Sequence, residues 1–190
     1  MRFLPLAGAS LIAMALGAPV AAAPFPGQVA AAEAGDARAQ FALAIMYDTG
    51  DGVRRDFPTA LRWFRRAAAG GYAPAEAKLG LMYLVGWAVP RDAEAAARWY
   101  RKAADQDNAI AQARLARLCA SGIGVRRNLV EASVWARLAA AKGDALAAWL
   151  AERYAARMTP AEIRQAERRV RAWRPSRYVA RSTAGATGKD

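Results

Sequence analysis

Histidine does not occur in the 190-residue sequence, and cysteine occurs once, at Cys119. Without histidine, the chain lacks the usual general base, the commonest metal ligand and any Ser-His or Cys-His nucleophile pair. A single cysteine excludes an intramolecular disulfide and a thiolate zinc cluster. Valine, isoleucine and threonine are sparse, which weighs against a sheet protein. These absences predict a protein that is not an enzyme and that needs no metal or cofactor.

Alanine and arginine are the residues in excess. The sequence has 52 alanines, and arginine supplies 24 of the 28 basic residues. Alanine loses no side-chain entropy in a helix, so this content favours an all-α fold. Against 16 acidic residues, the basic residues give a net charge of +12. The length corresponds to one domain or one short array.

Residues 1–23 have the pattern of a secretory signal peptide. Arg2 is the charged start, an apolar stretch runs from Phe3 to Val20, and small residues at 21–23 offer a cleavage site. We therefore expect a periplasmic or secreted chain with no integral membrane span after processing. The alternative is an uncleaved anchor that holds the N-terminus in the membrane.

A repeat of 36 residues dominates the rest of the sequence, and it superposes three units without a gap. The same residue types recur at Leu43, Leu79 and Leu115, at Gly50, Gly86 and Gly122, and at Trp63, Trp99 and Trp135. Each unit predicts two helices: about 37–49 and 57–70, then 73–85 and 93–106, then 109–121 and 129–142. The three glycines are expected to cap the ends of the first helices, and the three tryptophans to supply much of the buried area.

The second helix of each unit should begin after a capping side chain. Asp56, Asp92 and Asn128 stand where their oxygens can accept from the first free amides of the helix. Asn128 and Glu131 have the spacing of a reciprocal capping box. A last helix is expected from Thr159, with a proline and a glutamate placed as at a helix start.

The predicted organisation follows from these patterns. It comprises the signal peptide (1–23), an N-terminal linker with a short capping helix (24–35), three repeats (36–71, 72–107 and 108–143), C-terminal capping helices (144–174) and a disordered tail (175–190).

The repeat unit resembles a Sel-1-like repeat, a relative of the tetratricopeptide repeat. The residues of the first unit that carry the resemblance are Leu43, Tyr47, Gly50, Gly52, Val53, Asp56, Ala60, Trp63, Phe64, Ala67 and Ala68. The later units depart from the pattern at Ala88, Cys119 and Ala136. The resemblance implies an α-solenoid that serves as a scaffold or adaptor for other proteins, and it extends to regulators of envelope proteins.

In tetratricopeptide-like arrays the first helix of each unit lines the concave face. Residues there that point away from Leu43 and Tyr47 form what we call the inner row, an apolar stripe that ends at an arginine. The inner-row residues predicted to bind a partner are Phe41, Ile45, Asp48, Leu81, Leu84, Val85 and Arg117. A protein or peptide with an apolar face and an acidic group would suit this stripe. The alternative is that Pro24–Val29 or the last helix covers it.

A second candidate surface is basic and lies on the last helix, at Arg164, Arg168, Arg169 and Arg171. Guanidinium groups pair with carboxylates and phosphates, so an anionic protein, cell-wall polymer or lipid surface is the expected partner. Nucleic acid is not expected, because a secreted chain rarely meets it. The alternative is a solvated face without a partner.

An alternative function is hydrolysis of cell-envelope material. It would require a pair of carboxylates from among Glu76, Asp48 and Glu152, about 5–9.5 Å apart across a cleft. The sequence does not place any two of them together. Cys119 replaces an inner-face tyrosine and is expected to be a buried, inert thiol.

Overall fold

The computed structural model describes residues 26–176, which form nine α-helices and no strand. The predicted signal peptide and residues 177–190 of the predicted tail lie outside the described part. The helices are α1 Pro26–Glu33, α2 Ala37–Thr49, α3 Phe57–Ala69, α4 Ala73–Val85, α5 Ala93–Asp105, α6 Ala109–Ser121, α7 Leu129–Ala140, α8 Ala145–Ala155 and α9 Pro160–Ala172. The all-α prediction is confirmed, and the repeat helices start and end within two residues of their predicted bounds.

Three helical hairpins make the array: α2 packs on α3, α4 on α5, and α6 on α7. The second helix of each hairpin also packs on the first helix of the next, so that neighbouring repeats share a continuous interface. This stacking buries apolar surface that a single hairpin leaves exposed, which is the physical basis of a solenoid. The predicted α-solenoid of three 36-residue repeats is therefore confirmed.

The predicted caps explain why the helices start and end where they do. Oδ1 of Asp56, Asp92 and Asn128 accepts from the backbone nitrogen three residues on, at 2.9–3.1 Å. Gly50, Gly86 and Gly122 adopt left-handed φ angles between 75° and 82°, which a side chain would disfavour. These two signals recur in every repeat, so they fix the period of the fold.

The capping box predicted at Asn128 and Glu131 forms only by half. The Glu131 carboxylate accepts from Nη1 of Arg101 at 2.6 Å and from Nε1 of Trp135 at 3.4 Å. The Glu131 side chain thus forms an ion pair with Arg101 of α5 and does not accept from the Asn128 backbone nitrogen. The box predicted at Thr159 is complete, since Thr159 N donates to Oε2 of Glu162 at 2.7 Å and Glu162 N donates back to Oγ1 of Thr159 at 3.3 Å.

The prediction that the repeat tryptophans are the main core residues is wrong for two of the three repeats. Phe64 and Tyr100, each one residue later, are fully buried, whereas Trp63 and Trp99 are half-buried. Arg66 and Lys102 cover those two indole rings at 4.6 Å and 4.5 Å from the ring centroids, respectively. The physical reason is rotational, because adjacent residues on a helix point about 100° apart and only one of the two faces the first helix.

Trp135 of the third repeat is buried as predicted, in the part of the array where α9 packs on α7. Ala166, Val170 and Trp173 of this C-terminal segment join the same apolar cluster. Beyond α9, the backbone nitrogen of Ser176 donates to the carbonyl of Asp105 at 2.7 Å. The C-terminal segment therefore packs on α7 and reaches the end of α5.

Helix α8 begins 36 residues after α6 and is the first helix of an incomplete fourth unit. One position of the first helices is small and buried in every complete repeat, at Ala44, Gly80 and Ala116, where the second helix approaches closely. The equivalent residue of α8 is Glu152, which is exposed. A glutamate does not fit that tight contact, and α9 packs on α7 instead of closing a fourth hairpin with α8. The array thus ends with one side of α8 open.

Candidate functional site

The inner-row residues of the first repeat are largely packed against its core. Phe41 is half-buried, with its ring centroid 5.6 Å from that of Phe64 and 5.4 Å from that of Tyr72. Ile45 is also half-buried, and like Phe41 it packs against the apolar cluster that contains Phe64. These side chains contribute to folding and leave only part of their surface open to a partner.

Asp48 of the predicted site is buried and does not face solvent. Its Oδ2 accepts from Nζ of Lys78 at 2.7 Å, across the boundary between the first and second repeats. Because its carboxylate already holds a cation, its observed role is to join two repeats.

The inner row of the second repeat has a packed part and an open part. Leu81 and Leu84 are half-buried and pack against the apolar cluster that contains Tyr100 and Trp135. A charge introduced at either residue is expected to disturb folding as well as binding. Val85, in contrast, is 58% exposed at the end of α4. Arg117 of the third repeat is exposed too, so the accessible part of the row lies toward the C-terminal end.

Sequence reasoning missed three exposed apolar side chains at that end. Ile110 of α6 is 67% exposed, and Leu146 and Trp149 of α8 are 58% and 53% exposed. Extending the 36-residue register into α8 would have found two of them. Leu146 occupies the register position of Ile110, and Trp149 occupies that of Phe41, Ala77 and Ala113. The sequence prediction assigns residues 144–174 to capping helices and so does not extend the repeat register into α8.

Ile110 and Leu146 line a cavity of about 190 Å³ between α6 and α8, which we call the C-terminal groove. It is lined by Ile110, Ala113, Arg114, Arg117, Asp144, Leu146, Ala147 and Leu150. Most of these lining residues are apolar, and Arg114, Arg117 and Asp144 are the charged ones. A concave apolar site with a few polar groups is typical of a binding pocket.

The electrostatics of the C-terminal groove are positive. Among the described residues, neither Arg114 nor Arg117 forms an ion pair with an aspartate or glutamate. Asp144, the acidic residue of the lining, uses Oδ1 to accept from the Ala147 backbone nitrogen at 2.8 Å and so caps α8. Arg153 lies over the Trp149 ring at 4.6 Å. The guanidinium groups of Arg114 and Arg117 are therefore available to an anion.

The arginines of the predicted basic surface lie on α9. Arg164, Arg168, Arg169 and Arg171 are all exposed, and within residues 26–176 none of them forms an ion pair with a carboxylate. Helix α9 packs on α7, whereas the C-terminal groove lies between α6 and α8. The two candidate surfaces are thus separate.

A wider depression of about 680 Å³ lies at the start of α7. Its lining mixes Arg101, Arg126 and Arg127 with Glu131 and Glu162. Because Arg101 already pairs with Glu131, the charges there are partly neutralised within the protein. Once Arg101 and Glu131 are paired, Arg126, Arg127 and Glu162 remain, so the lining keeps the same net formal charge of +1 as that of the C-terminal groove.

The carboxylates considered for hydrolysis have separate surroundings. Asp48 pairs with Lys78, and Oε2 of Glu76 accepts from Nε2 of Gln106 at 2.7 Å, while Glu152 is exposed. Burial raises the pKa of the Glu76 carboxyl above its usual value. In the described part of the chain, no three Cys, Asp or Glu side chains gather as a metal site.

Cys119 is fully buried, as predicted. Burial raises the pKa of its thiol to about 11, and the neighbouring Glu131 acts in the same direction. At neutral pH the side chain is therefore a thiol, which is the unreactive form.

From residue 26 to residue 176, no helix has both the length and the apolar character that a membrane crossing requires.

Comparison with known proteins agrees with the repeat geometry. The Sel1 repeat model matches the chain three times, at residues 37–72, 73–108 and 109–144. A solved Sel1 repeat protein from Oxalobacter formigenes is 38% identical, with a TM-score of 0.64, over 66% of this chain and 95% of that chain. A protective antigen present in uropathogenic Escherichia coli strains, displaying an SLR fold, is 42% identical, with a TM-score of 0.60, over 62% of this chain and 25% of that chain. No curated protein matches the chain at a significant level.

Proposed function

Because the chain belongs to the Sel1 repeat family, whose arrays generally act as scaffolds for protein interactions, we propose that it is an adaptor without catalysis of its own. It binds another protein through the face formed by the first helices α2, α4, α6 and α8. The observation that carries this proposal is that exposed apolar side chains lie on three of these first helices, at Val85, Ile110, Leu146 and Trp149. Exposed apolar residues gathered on one face are typical of interaction sites.

The second part of the proposal concerns the compartment, and it is supported by the sequence of residues 1–23. Their charged start, apolar stretch and small residues are typical of a secretory signal, which would deliver the adaptor to the periplasm or the exterior. Cell fractionation with N-terminal sequencing of the product tests this. A shortened chain in the envelope fraction is expected, and a full-length cytoplasmic chain would contradict it.

Site-specific photo-crosslinking tests the binding face. A photoreactive amino acid is placed at Val85 or Arg117 on the first-helix face, and at Arg62 or Arg98 on the second helices as matched exposed controls. We expect one protein to be crosslinked from the first two positions and not from the controls. Crosslinks from the second-helix positions alone would refute the assignment of the face.

A second candidate function rests on the four exposed arginines of α9, which have no carboxylate partner among residues 26–176. They would hold the protein on an anionic polymer or lipid surface, and such binding falls steeply as salt screens the charges. Replacing Arg164, Arg168, Arg169 and Arg171 with glutamine should then release the protein from the envelope fraction. An unchanged distribution would leave α9 as a capping helix only.

A further inference from the structure

We infer that the C-terminal groove binds an acidic peptide segment that carries one large apolar side chain, the apolar side chain entering the cavity and the carboxylates pairing with Arg114 and Arg117. This inference rests on the proposed adaptor function and names the chemistry of the partner. It is carried by the size of the cavity, the exposure of its apolar lining and the charge around it.

The cavity suits a single apolar side chain. Its volume of about 190 Å³ exceeds the roughly 150 Å³ in which an apolar protein cavity holds a benzene ring. Ile110, Leu146 and Leu150 line it, and the first two are more than half exposed, so an entering side chain would remove their surface from water. A leucine or phenylalanine side chain of a partner therefore fits the space.

The charges of the groove determine which residues of the peptide suit the positions next to its apolar side chain. Arg114 and Arg117 lie three residues apart on α6 and face the same cavity, which places two guanidinium groups beside one site. Arg153 of α8, near Trp149, adds a third cation to this end of the face. Guanidinium groups form their strongest hydrogen bonds with carboxylates and phosphates. A peptide with Asp or Glu next to its apolar residue complements this arrangement.

Charge also argues against the other occupants. The whole chain has a net charge of +12, so a second copy would bring like charges to an already positive groove. Residues 177–190 contain Arg177, Arg181 and Lys189 against the single acidic residue Asp190, and residues 1–25 contain no acidic residue. Neither segment complements a positive groove, since the first is net basic and the second has no acidic side chain. The occupant is therefore a segment of a different, acidic protein.

Selection from a library of short random peptides displayed on phage tests the inference with defined probes. We expect enriched peptides to be acidic and to contain a leucine, phenylalanine or other large apolar residue. Each is then synthesised with a fluorophore and titrated by fluorescence anisotropy at low and high salt. Binding should weaken with salt, and it should fall when the apolar residue of the peptide is replaced by serine.

Variants of the protein locate the site. Arg114→Gln with Arg117→Gln should weaken binding by about tenfold or more, since two charge-assisted contacts are lost. Arg54→Gln with Arg91→Gln removes the same charge from exposed loop positions and should change binding little. Ile110→Ser with Leu146→Ser should also weaken binding, whereas Ile123→Ser, at an exposed loop residue, should not. Circular dichroism of each variant checks that helix content is kept.

The outcomes separate this inference from the adaptor proposal. Enriched peptides that are neutral or basic, or that bind the Arg114/Arg117 variant as well as the original protein, would overturn the inference. If such peptides lose binding on Val85→Ser, the first-helix face remains a binding face and the adaptor proposal survives. If no peptide is enriched, the inference fails, and the photo-crosslinking result alone decides the adaptor proposal.

Discussion

Nζ of Lys78 lies 2.7 Å from Oδ2 of Asp48, and this ion pair joins the first helices of two successive repeats. The side chains are 19% and 5% exposed, respectively, so the pair is largely shielded from water. At the next two repeat boundaries the equivalent pairs are Leu84 with Arg114 and Ala120 with Leu150. The fold therefore accepts an apolar pair where the first boundary has an ionic one.

We predict that Lys78→Leu alone destabilises the protein more than the double variant Asp48→Ala with Lys78→Leu. The single change leaves a buried carboxylate without its cation, which typically costs about 3 kcal/mol or more. The double change recreates the pair found at Ala120 and Leu150, and it should recover most of the loss. Urea unfolding followed by circular dichroism measures both. A double variant as unstable as the single one would show that the ion pair itself is required.

Tyr100 and Trp99 give a prediction about neighbouring aromatic residues. Tyr100 is fully buried, so Tyr100→Ala should cost about 3–5 kcal/mol, as for other large core side chains. Trp99 is half-buried, and Trp99→Ala should cost about 1–2 kcal/mol, because less of its ring leaves water on folding. The same unfolding experiment ranks the two variants. A larger loss for Trp99 would contradict the assignment of Tyr100 as the core residue.

Gly80 is the reason that the Tyr100 ring fits against α4. A Cβ at this position would lie 2.8 Å from Cδ1 of Tyr100, which is too close for a carbon contact. We therefore expect Gly80→Ala to destabilise by about 1–3 kcal/mol, although alanine is the better helix former by about 1 kcal/mol. In the Tyr100→Ala background the clash is gone, so Gly80→Ala should become neutral or stabilising. If it destabilises equally in both backgrounds, the ring is not the cause.

The helices could be predicted from the sequence because their signals are local and repeated. Asp56, Asp92 and Asn128 cap through their own side chains, and the left-handed glycines end the first helices, so each signal acts within a few residues. The choice between Trp63 and Phe64 is not local. Both are large aromatic residues, and only the packing of the hairpin decides which one faces the first helix.

The candidate site was predictable in part for a related reason. The exposed position of Val85 follows from the repeat register, since Thr49 and Ser121 at the same position are exposed too. The ion pair of Asp48 depends on Lys78, which is 30 residues away. The C-terminal groove depends on how α8 and α9 end the array. The spacing of residues 144–174 alone did not show that Leu146 and Trp149 remain uncovered.

Glu76 stands where the other two repeats have a buried glutamine. Nε2 of Gln40 donates to the carbonyl of Ala32 at 3.0 Å, and Nε2 of Gln112 donates to the carbonyl of Ala104 at 3.2 Å. An ionised Glu76 has no proton to donate in this way, although it accepts from Gln106. Burial is the main cause that raises the pKa of Glu76. The nearby Asp105 also raises it, while Lys102 and the hydrogen bond from Gln106 oppose the shift.

This shift gives a pH-dependent prediction. The folded protein holds the Glu76 proton more tightly than the unfolded chain does, so the free energy of unfolding falls as pH rises from about 4.5, the usual glutamate value, through the raised pKa. Glu76→Gln removes this loss and supplies the amide donor, so the variant should be more stable than the original protein at neutral pH. The difference between them should shrink as the pH is lowered toward 4.5.

The mirror variant Gln112→Glu is the control for that experiment. It places a carboxylate beside the Ala104 carbonyl and beside Asp107, both of which now accept from the Gln112 amide. Lys142 donates to Oε1 of Gln112 at 3.0 Å and would offset part of the cost. As pH rises, we expect Gln112→Glu to become less stable than the original protein. Glu76→Gln should become more stable than the original protein over the same range. Urea unfolding at a series of pH values measures both. A Glu76→Gln effect that does not change with pH would mean that glutamine packs better there and that titration of Glu76 has no part in it.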